Sequence, residues 1–303
     1  MAPRAAGGGC RLTRRAAVFA SLAADAHVQT RRESTSMSEV ASKVRSWLEG
    51  QGYPLEMAVA RAFASKGFGV ALSTYYDDPV TRTPRELDVR AVREVSTGRS
   101  TARVVVSIEC KLAAAHPWIL FTSPSGLRLP PDRSPLSITG GGARARLMGI
   151  LGRPAEHPLS FFDPSCPVGY SVTEAFTTGK DLPYQACMGA TAAAASFAPT
   201  GFVVGRDMQL VDLSVLAIPV VVISGVLVCA SLRPEADPPA LEVVEIERGA
   251  VLWSHPQAGL TNRLVHIVTF DALPIFLDEL DVAAEAFLAP PPQSLGSPSA
   301  TRI

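Results

Sequence analysis

Three things are scarce in this 303-residue chain: organised cysteine, net charge and uninterrupted hydrophobic sequence. The five cysteines (Cys10, Cys110, Cys166, Cys187 and Cys229) are odd in number and scattered, with no C-x-x-C spacing. They suggest neither a zinc site nor a disulfide framework. Reduced thiols in a cytoplasmic protein are the expectation. Lys and Arg total 28, as do Asp and Glu, so the formal net charge is zero. A typical sequence-independent DNA binder is more basic, so any nucleic-acid contact must come from a local basic cleft. One long, almost uncharged and strongly apolar stretch, Leu213 to Leu232, contains Pro219 and Gly225 and has no basic flank before it. Val and Ile dominate it. Two buried strands, Ile218–Ser224 and Val226–Ser231, are expected there rather than a membrane helix, and no membrane partner is expected.

Residues 1–37 carry little acid, with only Asp25 and Glu33, and show no periodicity. They read as a disordered extension, or as sequence upstream of a true start at Met37; a twin-arginine export signal around Arg14-Arg15 and a transit peptide are the alternatives. The body of the protein is expected over residues 38–288, as one α/β domain. Residues 289–303 read as a disordered tail.

Within that body the patterns are stronger. A helix over Ser38–Glu49 carries Val40, Val44, Trp47 and Leu48 on one face. A second runs from Pro54 to Lys66, stopped by Gly67, with Leu55, Val59, Ala62 and Phe63 as its apolar stripe. Glu56 sits at the edge of that stripe, where it can reach inward. It is also an ordinary first-turn acid favoured by the helix dipole. A strand over Phe68–Tyr76 follows, closed by Asp77-Asp78-Pro79 as a turn.

The most informative stretch comes next. Pro84–Arg90 and Arg103–Lys111 flank the turn residues Ser96–Thr101. Gly98 suits the first corner of a two-residue hairpin loop, where φ is positive. If Thr97 pairs with Ser100, Asp88 falls opposite Glu109 and Glu86 opposite Lys111. Side chains alternate faces along a strand and opposed residues share a face. One face then reads Glu86, Asp88, Glu109, Lys111. The other reads Leu87, Val89, Ala91, Val104, Val106, Ile108, Cys110. A slip of one residue would scramble both sets. Two opposed acids repel unless a cation lies between them, and Mg²⁺ would supply one through oxygen ligands. The bland alternative is a solvated hairpin face with a Glu86–Lys111 ion pair, contributing about 0–1 kcal/mol.

An aspartate followed on the next strand by Glu-x-Lys resembles the PD-(D/E)xK nuclease superfamily. Asp88, Glu109 and Lys111 carry the resemblance, with Glu56 matching the helix acid of many members. It extends over roughly Gly52 to Trp118. The family's proline stands as Pro84, four residues before Asp88. The resemblance implies a restriction-endonuclease-like fold: a mixed central β-sheet flanked by helices, here with a C-terminal strand extension. It implies Mg²⁺ or Mn²⁺ held by Asp88, Glu109 and the backbone carbonyl of Cys110. Lys111 would orient the attacking water, Glu56 would assist the metal, and DNA would be the substrate. The alternative is a nuclease-like fold without cleavage, acting as a binding module.

The rest is read more coarsely. Trp118 is expected in the core, with base stacking as the alternative. Residues 122–160, rich in Pro and Gly, read as an irregular insertion. Its arginines (Arg128, Arg133, Arg144, Arg146, Arg153) are open to phosphate contact or plain solvation. Gly140–Ala145 fits a relaxed G-x-G-x-x-A pattern, but Ser137–Thr139 is too short for the strand a dinucleotide site needs. A strand over Ser171–Thr178, an Ala-rich helix over Pro183–Phe197 with Gln185 near its start, a more exposed strand over Leu241–Glu247 and a closing helix over Leu273–Phe287 complete the expectation. His157, His255 and His266 have no ligand spacing.

Overall fold

The structure is a computed structural model. It describes residues 38–97, 100–123, 127, 138–151, 166–177, 179, 181–198, 203–204, 210–233, 238–255 and 259–290. The readings for residues 1–37 and 291–303, the Gly98–Arg99 corner, His157, Arg128, Arg133 and Arg153 fall outside them. The chain divides into two units, Met1–Gln51 and Gly52–Ile303. In the first, residues 38–49 form helix α1, with Val40, Val44 and Trp47 exposed.

The second unit is a mixed α/β structure built on one large sheet. Its elements begin with α2 (Tyr53–Ser65), β1 (Gly69–Asp77), β2 (Pro84–Thr97) and β3 (Ser100–Phe121). There follow β4 (Ile138–Gly141), α3 (Ala143–Leu151), β5 (Val168–Gly169), β6 (Ser171–Glu174) and α4 (Leu182–Phe197). The last are β7 (Val203–Val204), β8 (Leu210–Arg233), β9 (Ala240–Ile246), β10 (Arg248–His255), β11 (Leu260–Thr269) and α5 (Leu273–Leu288). The main path of the sheet runs β1-β2-β3-β8-β11-β10-β5. β1, β2 and β3 are antiparallel neighbours, whereas β8 lies parallel to β3 and to β11.

Each face of the sheet is covered because each presents a continuous apolar set. On one face Val89, Ala91, Val104, Val106, Ile108 and Cys110 pack with Leu55, Val59 and Phe63 of α2 and with Phe276, Leu280 and Phe287 of α5. On the other, α4 lays its small residues flat against the strands, Cys187 and Ala190 near Trp118 and Ile223, and Ala194 near Val105 and Val215. Helix α4 starts cleanly because the Asp181 carboxylate accepts from the Tyr184 N–H at 3.0 Å, satisfying one free donor of the first turn.

Several expectations need correction. The stretch read as two strands is one, β8, 24 residues long. Pro219 does not break it. On one flank β4 ends at Ala217 and β11 begins at Val220, so the missing N–H falls where that flank changes partner. Gly225 is there because a Cβ would lie 2.4 Å from the Ala113 carbonyl oxygen. No helix among the described residues is long and apolar enough to cross a membrane. The insertion is not wholly irregular, since it holds β4 and α3. Arg146 is structural: its Nη1 donates to the Phe287 and Ala289 carbonyls at 2.6 and 2.5 Å, closing the C-terminus of α5. The expected strand after Ser171 stops at Glu174. Trp118 is buried in the core.

The glycine triplet also acquires a role. Strand β4 includes its first two glycines, leaving only Ile138 and Thr139 ahead of them; Gly141 has φ +59°, and a Cβ there would lie 1.7 Å from the Leu213 carbonyl oxygen. A Cβ on Gly142 would meet Ser214 Oγ at 3.0 Å and an Asp212 carboxylate oxygen at 3.7 Å. These glycines let β4 close on β8, and the adjacent acid opposes a phosphate. Gly141→Ala is accordingly expected to lose at least about 2 kcal/mol of stability, from the forced φ and the collision together. Urea denaturation checks this; an unchanged midpoint would refute it.

Candidate active site

The β2–β3 register is the expected one. Nine pairs run from Thr97↔Ser100 to Val89↔Ile108. Pairing then stops, one step short of Asp88 and Glu109. Instead of continuing the ladder, the Asp88 side chain enters the gap, and its Oδ2 accepts from the Cys110 N–H at 2.7 Å. A strand residue sends its N–H and C=O to the same edge. The Cys110 carbonyl therefore also faces the edge at which β2 has parted from β3.

The parting of the strands has a visible cause. Across β1–β2, Leu72 pairs with Val89 and Thr74 with Leu87, while Ser73, between them, has φ +48°. The apolar alternation of β2 switches sides at this point. Leu87 was expected beside Val89, but it packs with Tyr76, Ala192 and Ala193, under α4. Asp88 is the residue at the switch. Its carboxylate thus lies at the seam rather than flat on one face.

Lys111 joins the two acids. Its Nζ donates to Glu109 Oε2 at 2.6 Å and to Asp88 Oδ2 at 3.1 Å. Glu86 is exposed and pairs with Tyr75 of β1, so the Glu86–Lys111 pairing gives way to this three-residue cluster. Glu109 is 8% exposed, while the side chains of Asp88 and Lys111 keep 22% and 23%. The cluster therefore has a buried floor and an accessible rim.

Burial dominates the electrostatics. It pushes the Glu109 carboxyl up to about 7, with Lys111 pulling down and Asp88 pushing up. Burial alone would lower Lys111, but Glu109 and Asp88 more than reverse that, and its ammonium is held above the usual range. Glu56 of α2 is raised by burial and then by the charge of Asp88, with Lys111 opposing. Glu109 thus senses the charges of Lys111, Asp88 and Glu56, and Glu56 those of Asp88 and Lys111, though only Asp88, Glu109 and Lys111 are joined by hydrogen bonds.

Two contributors have no sequence signal of their own. Gly189 of α4 lies directly over Glu109: a Cβ there would come within 2.7 Å of Oε1 and 3.1 Å of Cδ. Tyr76 lies beside it, its Oη 3.4 Å from the Gly189 carbonyl oxygen. Burial and the Glu109 charge push that phenol up to about 12. Gln185, the residue of α4 singled out from sequence, is exposed. A glycine in an alanine-rich helix reads only as a weak spot in propensity, so Gly189 could not be picked out without knowing what crosses beneath it.

Comparison with protein-family models, curated proteins and solved structures finds no match. The chemistry must be judged from the donor set. Among the described residues no three His, Cys, Asp or Glu side chains gather as a metal-ligand group. Two carboxylates and the Cys110 carbonyl edge do gather. With both acids ionised they carry one more negative charge than the single ammonium between them cancels. That donor set is all oxygen, which suits Mg²⁺ or Mn²⁺ and not zinc.

Proposed function

We propose that the chain is a metal-dependent nuclease hydrolysing DNA phosphodiester bonds on a restriction-endonuclease-like core. The observation that carries this is the meeting of Asp88, Glu109 and Lys111 at the point where β2 parts from β3. Asp88, Glu109 and the Cys110 carbonyl would hold Mg²⁺ or Mn²⁺. Such a cation supplies a bound water of lowered pKa and offsets phosphate charge. Lys111, released from bridging the acids, orients the attacking water and stabilises charge building on the phosphoryl oxygens. Glu109 must be ionised to serve, and its burial under Gly189 keeps its carboxylate in one orientation. Glu56 tops up the negative charge at the rim.

The test is nicking of supercoiled plasmid with Mg²⁺ or Mn²⁺. Wild type should nick; Asp88→Asn and Glu109→Gln should not. Equal nicking by all three would assign the activity to a contaminant.

A second reading has its own support. Lys111 already satisfies both carboxylates, and the chain carries no net positive charge. A nuclease-like binding module would look like this. Titration calorimetry separates the two: the nuclease reading expects Mn²⁺ binding that Glu109→Gln abolishes, and the module reading expects none.

A further inference from the structure

A cleft of about 650 Å³ opens on the α4 side of β1, β2 and β3, and Arg90 is its lining residue nearest in sequence to the carboxylate cluster. Val92 and Val105 form part of its floor, Phe197 of α4 one wall, and Arg90, Glu94 and Arg103 its polar rim. Arg103 is paired with Glu94 at 2.7 Å. Arg90 is different. Its guanidinium carbon lies 5.4 Å from the centre of the Phe197 ring, and its buried Nε–H has no acceptor among the described residues. Directly across the ladder from Arg90 is Ser107, wholly buried, whose Oγ also has no partner. A buried donor without an acceptor is costly, so it marks a place built for something to arrive.

The neighbourhood says what should arrive. Arg90 stands two residues after Asp88, about 6–7 Å along the strand. A guanidinium with a donor to spare recognises phosphate. An aromatic ring and an apolar floor suit a base or sugar, and the volume falls within the range of small-ligand sites.

We infer that this cleft holds one unpaired nucleotide of the substrate strand, its phosphate on Arg90 and its base against Phe197. The choice of ligand rests on reading the Asp88–Glu109–Lys111 cluster as a nuclease centre. It narrows the substrate to nucleic acid that is single-stranded, or frayed, beside the bond to be cut. A stacked duplex base has both faces covered and cannot enter such a cleft without being unstacked.

The experiment is fluorescence anisotropy with labelled oligothymidylate and the full chain in EDTA, where no cleavage occurs. Arg90→Ala should weaken binding about tenfold and reduce the salt slope by about 0.7, the share of one phosphate contact on a single strand. Phe197→Leu should weaken it about tenfold with the slope unchanged, as loss of stacking alone predicts. Duplex of the same length should compete poorly. Photo-crosslinking of the oligonucleotide to wild type, mapped by mass spectrometry, should mark the peptide holding Phe197. This gives an answer even if Arg90→Ala does not fold. Absence of wild-type binding, unchanged affinity in a folded Arg90→Ala, equal competition by duplex, or adducts confined to other peptides would each overturn the inference. Binding through Arg90 together with a plasmid that is never nicked would leave the nucleotide site standing and remove the nuclease reading.

Discussion

Lys111→Ala is expected to lower metal-dependent cleavage by about 10²–10³-fold, the scale on which a preorganised charge-stabilising group acts. It should also change how stability depends on pH, which a purely catalytic role would not do. In the wild type the Glu109 carboxyl lies at about 7 when folded, against an ordinary 4.5. Its folded value is raised, so its contribution is fully present below 4.5 and is lost as pH rises through 7. Over that window the wild type should lose stability on the order of 3 kcal/mol from this group. Without Lys111 nothing comparable pulls Glu109 down, so the loss should extend to higher pH. Urea midpoints at a series of pH values read this directly. On the proposed mechanism cleavage should have the opposite slope, rising to a plateau as Glu109 ionises. Coincident stability profiles for wild type and Lys111→Ala would mean that the ammonium does not govern Glu109.

The second large effect comes from a residue with no functional group. Gly189→Ala would place a methyl 2.7 Å from Glu109 Oε1. An exposed carboxylate would swing away. Glu109 is buried, and Lys111 holds its other oxygen at 2.6 Å, so it can yield only by leaving its position. Two terms then oppose each other in stability: alanine gains about 1 kcal/mol of helix propensity over glycine, and the crowding costs about as much or somewhat more. Activity has no such compensation, since a displacement of order 1 Å at a reacting group can cost about 10²-fold. The expected result is a melting temperature close to wild type with cleavage down about 10²-fold. Cleavage at wild-type rate would show that α4 does not position the carboxylate.

What could be read ahead of the structure was local and periodic. The hairpin register followed from one two-residue corner, because strand alternation is a strict period of two and any slip would have mixed charge with core. That arithmetic brought Asp88, Glu109 and Lys111 together. It failed at Leu87, because it assumed that β2 keeps its faces. The switch depends on Ser73 of a different strand, which nothing in β2 announces. Pro219 and Gly225 were treated as punctuation, yet one lies at a change of neighbours and the other under a carbonyl. Their meaning is set by chains that arrive from elsewhere. Arg146 and Gly189 fall in the same class. Strands β10 and β11 were passed over because short apolar runs broken by Ser, His and Asn resemble loop sequence.

Strand β8 carries a further consequence, for the order in which the protein is made. β3 is paired along its length with β8, Ser100 with Asp212 and Lys111 with Ile223, partners 112 residues away in each case. Glu56 and the three side chains of the cluster are synthesised early, but the strand that flanks β3 emerges from the ribosome about a hundred residues later. Contacts this distant are slow to form. A nascent chain ending before Leu210 would hold every one of those side chains, and the β2–β3 hairpin that aligns three of them, but not the strand that flanks β3 on its other edge. On the proposed function, full activity would then be withheld until most of the polypeptide exists.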